Sequence, residues 1–466
     1  MKRFILMAGV LTAAVFPGSD AGAANGAVNL RFSGSAVWLR VDGDKDDDWW
    51  METSTNCDHW ITLTNFGTLL SGNETNAPWR MAGVQDDGMR FYRARQTDGL
   101  YDATLLRTWS LTFTQANFSN QMVLGRTYGT NAPCKELTLN NGATNRNIGA
   151  RFRGNTSFTG MGSAPPKKSI ALEIDQTVPN DDLMGYDNIN LNNAYGDETM
   201  MRETLYFNVM REYAVCPAGC LAQLYVNGAN WGVYSCAQQQ DGTLINEWFP
   251  SNQGYRFRAA NMDGSAAFVY LNTTNVASYT PHYELKSDPD TNAWPSFIRA
   301  IYAFSQLATN TATLRDKAED IVAVDRWLWF LALENLFVDE DSYWSKGSDY
   351  ILYYEPETGR VHPVEHDGNE ALTPTPNITY TLSPVEGATA SNRPLLYRLL
   401  GNAELRQRYL AHMRTAMEEN FNPPAMTALI NGYHARSIAA VIADPKKGYT
   451  GMATYTNDLN SLKTFI

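Results

Sequence analysis

Acidic side chains crowd one short stretch of the chain, Val338 to Leu372, which reads VDEDSYWSKGSDYILYYEPETGRVHPVEHDGNEAL. Asp341 and Asp349 precede an apolar run, Tyr350 to Tyr354; after Glu357-Thr358-Gly359 a second run ends in Glu365, Asp367 and Asn369. A strand, a glycine turn and a returning strand bring the two acidic ends to one mouth. Carboxylates meeting there repel unless a cation or a shared proton lies between them, so the stretch asks for Mg²⁺, Ca²⁺ or a proton. A solvated acidic loop around Asp339-Glu340-Asp341 and an Asp-Gly-Asn turn at Asp367 are the plainer alternatives.

A second group of residues suits an anion. Ile148 to Ser157, IGARFRGNTS, reads as a strand that breaks into a Gly/Ser-rich turn, continuing through Gly160, Gly162 and Pro165-Pro166. Lys167-Lys168 then open another strand, Ser169 to Ile174. Backbone amides and an ammonium placed this way can cradle phosphate, although a hairpin with surface lysines has the same pattern. Arg202 and Glu203 lie early in a predicted amphipathic helix, Glu198 to Tyr213, with Asp197 as its N-cap.

The elements that position these groups follow a clear order. From about Asn25 to Arg107 the chain is rich in Trp, Thr, Asn, Gly and Asp, which predicts a small β-rich region. Within it Asp42-Gly43-Asp44-Lys45-Asp46 has the opening of a calcium loop, but Asp47 and Thr53 stand where Gly and Glu are needed, so a solvated loop is expected. Strands are predicted at Trp109–Gln115, Lys135–Asn140, Leu221–Val226 and Gly232–Ala237, the last two joined by a loop from Asn227 to Trp231. Helical patterns follow at Trp294–Leu307, Leu314–Val322 and Asp325–Phe337, then a long loop from Pro374 to Asn392, then helices from Leu395 to Phe465. The divisions expected are 1–24, 25–107, 108–290 and 291–466.

Residues 1–24 have the plan of a secretory signal: Lys2-Arg3, an apolar run through Leu11, and Ala21-Gly22-Ala23-Ala24. No later stretch is long and apolar enough to span a bilayer, so a secreted, periplasmic or cell-surface protein is expected. The net charge of −12 speaks against nucleic acid as a partner and for a basic one. The five cysteines, Cys57, Cys134, Cys216, Cys220 and Cys236, predict one or two disulfides, with Cys216 paired to Cys220 or to Cys236. The six histidines are too scattered for a zinc site.

IGARFRGNTSF, KKSIALEID, INLNN…DETMMRETLYFNVMREY, LYVNGANWGVYSCAQQ and VDEDSYW…DYILYY…HPVEHDGNEAL together resemble the spore-coat protein H (CotH) kinase family, in content and in order, over about Trp109 to Leu372. The resemblance implies an α+β, two-lobed protein-kinase-like fold: a β-rich N-lobe and a mainly helical C-lobe, here with an extra N-terminal β-rich region. It also implies transfer of the γ-phosphoryl group of ATP, with Mg²⁺ or Mn²⁺, to Ser/Thr hydroxyls of a protein. Lys168, or Lys167, would contact the phosphates and pair with Glu203, and Arg153, Gly154, Asn155 and Ser157 would cover them. Asp341 would be the catalytic aspartate, and Asp367, with Asp349 and Glu365, would hold metal. The chain departs from the family at Asp349, where Asn is common, and at Val364-Glu365-His366-Asp367, where Trp-Asp-x-Asp is common. A kinase-like surface, coat or adhesin protein that no longer catalyses is the competing expectation.

Overall fold

The structure is a computed structural model. It describes residues 99–159, 167–260, 264–309, 312–373 and 381–466, and the backbone of strands lying between residues 3 and 97. The Asp44–Asp47 acidic loop, Gly160 to Pro166 and the first part of the loop after Pro374 lie outside the described residues. The architecture is α+β, as the sequence pattern indicates.

The leading strands are β1 (Arg3–Met7), β2 (Ala13–Phe16), β3 (Ala27–Ser33), β4 (Ala36–Asp42), β5 (Asp48–Ser54), β6 (Ile61–Thr68), β7 (Arg80–Val84) and β8 (Phe91–Thr97). They form a five-stranded sheet, β2-β1-β8-β5-β6, and a three-stranded one, β3-β4-β7. A closed barrel follows, built from β9 (Leu106–Thr112), β10 (Ala132–Leu139), β11 (Thr144–Arg153), β12 (Ser169–Glu173), β13 (Asn188–Asn192), β14 (Gly219–Val226) and β15 (Ala229–Gln238), in the order β10-β11-β12-β13-β15-β14-β9. Alternating inward residues such as Leu137, Ile148, Ala150, Ile170, Leu172, Ile189, Leu191 and Leu224 fill it, which is the period-two pattern of half-buried strands. The β14–β15 connection is tighter than expected. Asn227 and Gly228 alone make the turn, at φ 48° and 77°, the left-handed pair that Asn-Gly supplies at least cost.

Helix α1 (Phe118–Tyr128) lies across β11, and a single turn, α2 (Thr156–Thr159), follows it. Helix α3 (Arg202–Met210) packs on β14 and β15. It starts four residues later than the pattern predicts. Its N-cap is Met201, which makes no side-chain capping bond, so Asp197 is not the N-cap expected; from the preceding turn the Asp197 carboxylate accepts from the amides of Thr199 (2.9 Å) and Arg202 (2.8 Å).

The second half contains α4 (Gly242–Trp248), β16 (Tyr255–Ala259), β17 (Tyr283–Leu285), α5 (Ala293–Ser305), α6 (Leu314–Glu319), α7 (Val324–Leu336), β18 (Tyr350–Glu355), β19 (Arg360–Glu365), α8 (Pro394–Gly401), α9 (Ala403–Glu419), α10 (Pro423–Ile442) and α11 (Ala453–Phe465). The sheet β17-β16-β18-β19 joins segments on both sides of residue 290. One large apolar core ties α3 to α5, α7, α9, α10 and α11. No described helix is long and apolar enough to cross a membrane.

The expected disulfides are not formed: Cys134, Cys216, Cys220 and Cys236 are free, buried thiols. Cys216 faces the Phe207 carbonyl in the core around α3, whereas Cys220 and Cys236 are register partners inside the barrel. The close sequence spacing of Cys216 and Cys220 therefore does not bring them into one core. Cys57 lies outside the described residues.

Candidate functional site

The acidic hairpin forms as its pattern predicts. Tyr350 opposes Glu365 and Glu355 opposes Arg360, so Asp349 and the His366-Asp367 pair emerge side by side at its open end. Asp349 sits at φ 56°, a left-handed conformation that Asp and Asn tolerate better than other side chains. Its carboxylate accepts from Arg258 on β16 at 3.1 Å, and burial pushes it above the ordinary carboxylate range.

Glu365 is buried. It accepts from the Tyr206 hydroxyl at 2.7 Å and from the His366 amide at 2.8 Å, and burial pushes its carboxyl up to about 8. Asp367 behaves in the opposite way. Burial works to raise it, but a hydrogen bond from His366 and the nearby guanidiniums of Arg258 and Arg153 hold it below its usual value. It is therefore an anion at neutral pH, and its Oδ1 is buried without a hydrogen-bond partner. Asp341, in the turn after α7, is paired with Lys346, whose ammonium also lies 3.6 Å from Glu370. Burial, with Asp341 and Asp367 as neighbouring charges, raises Glu370 to about 7.

The barrel contributes from the ends of β11 and β13. Arg153 Nη1 donates to Asn192 Oδ1 at 2.6 Å, and Asn192 Nδ2 donates to Glu203 Oε1 at 2.8 Å. One amide thus orients a cation and an anion that do not bond directly. Burial pushes Glu203 up to about 7, Asp367 adds to the rise, and the Ser235 hydroxyl, Arg153 and Asn192 oppose it. Arg153 in turn feels the charges of Glu203, Arg258 and Asp367, which places the barrel and hairpin groups in one electrostatic set.

The two lysines lie elsewhere. Lys167 is 0% exposed; its ammonium is 2.9 Å from Asp444 and also bonds the Val233 carbonyl. Lys168 bonds the Phe158 carbonyl and sits 4.1 Å from the Phe158 ring. The structure thus brings together Arg153, Glu203, Asp349, Glu365, Asp367 and, through Glu370, Asp341, but shows no Lys167 or Lys168 contact with Glu203. Gly154 and Asn155 are tethered by Arg126, and Asn193 holds the backbone carbonyls of Ser157 and Lys167 at 3.1 and 3.0 Å. Asn193 therefore pins both ends of the glycine-rich segment. Sequence reasoning missed Asn192, Tyr206, Arg258, Lys346 and Glu370. The INLNN block was the available signal for Asn192, while Arg258 on β16 had none.

Among the described residues no three His, Cys, Asp or Glu side chains form a metal cage by themselves. Mg²⁺ does not need one: it commonly takes one or two carboxylates, with phosphate and water completing the shell. The buried, partnerless Oδ1 of an ionised Asp367 fits such an ion. No curated protein sequence matches the chain. A family model described as CotH kinase protein matches residues 150–466, from the middle of β11 to the last residue, and so spans Arg153, Asn192, Glu203 and the whole acidic hairpin. With more than half of its length matched, the chain belongs to the CotH kinase protein family.

Proposed function

We propose that this chain is an exported protein kinase that moves the γ-phosphoryl group of ATP to Ser/Thr hydroxyls of a basic protein, using Mg²⁺ or Mn²⁺. The barrel acts as the N-lobe and the helical half as the C-lobe of a kinase-like pair. The observation that carries this reading is the Arg153–Asn192–Glu203 relay set beside an ionised Asp367 with a free oxygen.

In this reading Arg153 neutralises the polyphosphate, a task that guanidinium geometry suits. Lys167, locked on Asp444, leaves that task to Arg153. Asn192 and Glu203 hold the Arg153 fork in one orientation, and the Gly154–Ser157 turn covers the phosphates. Asp367 provides the metal-holding oxygen, with Asp349 and Glu365 beside it. The metal supplies charge neutralisation on the transferring group. Asp341 orients the acceptor hydroxyl and takes its proton as that oxygen bonds to the γ-phosphorus and the bond to ADP breaks. Lys346, already on Asp341, keeps a positive charge close to that step.

A second reading, a non-catalytic surface or coat module, draws support from the engagement of both lysines and of Asp341 in the free protein. Incubating the chain with γ-labelled ATP, Mg²⁺ or Mn²⁺ and a Lys/Ser-rich acceptor separates the two. Label should reach the acceptor and fall at least about a hundredfold in Asp341→Asn and Asp367→Asn. Absence of nucleotide binding by calorimetry, with metal present, would leave only the second reading.

A further inference from the structure

Adjacent residues of α3 face different parts of the molecule. Glu203 points to Asn192 and the Arg153 relay, while Arg202, only 2% exposed, points to helix α11. Its guanidinium forks onto Asp458 of α11, with Nη1 to Oδ2 at 2.7 Å and Nη2 to Oδ1 at 2.6 Å. Nη1 also donates to Asp197 at 2.8 Å. A two-pronged contact of this kind fixes the plane of the guanidinium as well as its position.

Further bonds run the same way. Asn208, two turns along α3, donates to the Tyr433 hydroxyl of α10 at 2.7 Å. The Tyr449 hydroxyl donates to the Glu198 carbonyl at 2.9 Å, and the Thr199 amide lies 3.3 Å from Asp458. Tyr455, Leu459 and Leu462 of α11 join the same core as Leu205, Phe207 and Val209 of α3. None of these groups touches Arg153, Asp341 or Asp367. Their shared effect is on where α3 sits and how it is rotated about its axis.

We infer that Arg202 and Asp458 are positioning residues: the carboxyl-terminal helix α11 sets the rotation of α3, and thereby holds Glu203 on Asn192 and keeps Arg153 aimed into the cleft. The inference rests on the nucleotide-binding reading for its functional consequence, but its structural half stands without it. A small misplacement of a charged partner is costly in a site whose work is positioning.

The test compares the full chain with Asp458→Asn, Arg202→Lys and, as a control on the same helix, Lys463→Ala, which removes only an exposed bond to Asn431. Calorimetry below the melting temperature of each variant should show Mg-ATP bound about tenfold more weakly by Asp458→Asn and Arg202→Lys, and unchanged in Lys463→Ala. A purely structural role would lower the melting temperature and leave the folded protein's affinity intact. Affinity within twofold of wild type in both variants overturns the inference. If wild type binds no Mg-ATP, the kinase reading has failed by itself. Hydrogen exchange then decides: amides Leu205 to Met210 should exchange at least about tenfold faster in Asp458→Asn, with barrel strands β10 to β12 unchanged. Unaltered α3 exchange overturns the inference.

Discussion

At the scale of single residues, the proposed kinase divides between two side chains the work expected of one lysine. Arg153 supplies charge, while Asn192 supplies alignment without carrying charge itself. Replacing Arg153 by Lys keeps the charge and shortens the reach, so Mg-ATP affinity should drop by about 1–3 kcal/mol, read by calorimetry. Glu203 gives a prediction in pH. Its folded carboxyl titrates at about 7, above the ordinary 4.5, so the folded state holds this proton more tightly than the unfolded state. Stability from Glu203 is then fully present below 4.5 and is lost as pH rises through about 7. Denaturation curves of wild type and Glu203→Gln at pH 4.5 and pH 8 should diverge, wild type losing of the order of 3 kcal/mol more. Equal pH dependence would show that Glu203 stays ionised in the fold.

At the scale of elements, the hairpin and the helices around it were legible because apolar runs, a Gly359 turn and acidic ends coincide in sequence. Helices α5, α6 and α7 begin within about one residue of the expected positions, since their 3.6-residue pattern is uninterrupted. Helix α3 began later than expected because a turn containing Met200 at φ 64° separates Asp197 from the first helical residue, which periodicity does not register. The lysine assignment was not legible for a different reason. Lys167 and Lys168 lie just ahead of β12, outside any strand, and what each meets, Asp444 or Phe158, is set by tertiary packing that the local pattern does not register. Glycine at position 368 makes one joint between elements testable. A Cβ there would fall 2.0 Å from the Tyr206 ring, which holds Glu365. Gly368→Ala should cost about 1–3 kcal/mol in urea unfolding and loosen the hairpin's grip on α3.

For the whole molecule, the proposed nucleotide binding implies linkage between nucleotide and stability. A hundredfold excess of Mg-ATP over its dissociation constant should add about 2.7 kcal/mol, visible as a higher melting temperature that Asp367→Asn abolishes. For the basic acceptor proposed above, a net charge of −12 predicts faster association at low salt than at high salt. Stopped-flow rates that ignore ionic strength would remove electrostatic steering from the account. The change from a strand-rich to a helix-rich pattern was readable from the switch between periods two and 3.6 along the chain. The closure of seven strands into a barrel was not, because closure depends on β9 meeting β14, whose registers are written more than a hundred residues apart.

The buried contact between Lys167 and Asp444 spans 277 positions of sequence. During synthesis the barrel strands leave the ribosome long before their counter-ion exists, and an ammonium shut into an apolar wall without one is strongly disfavoured. Burying Lys167 as a cation therefore requires the segment just after α10, which carries Asp444. A chain cut short of Asp444 would accordingly strand this ammonium in the barrel wall without a counter-ion.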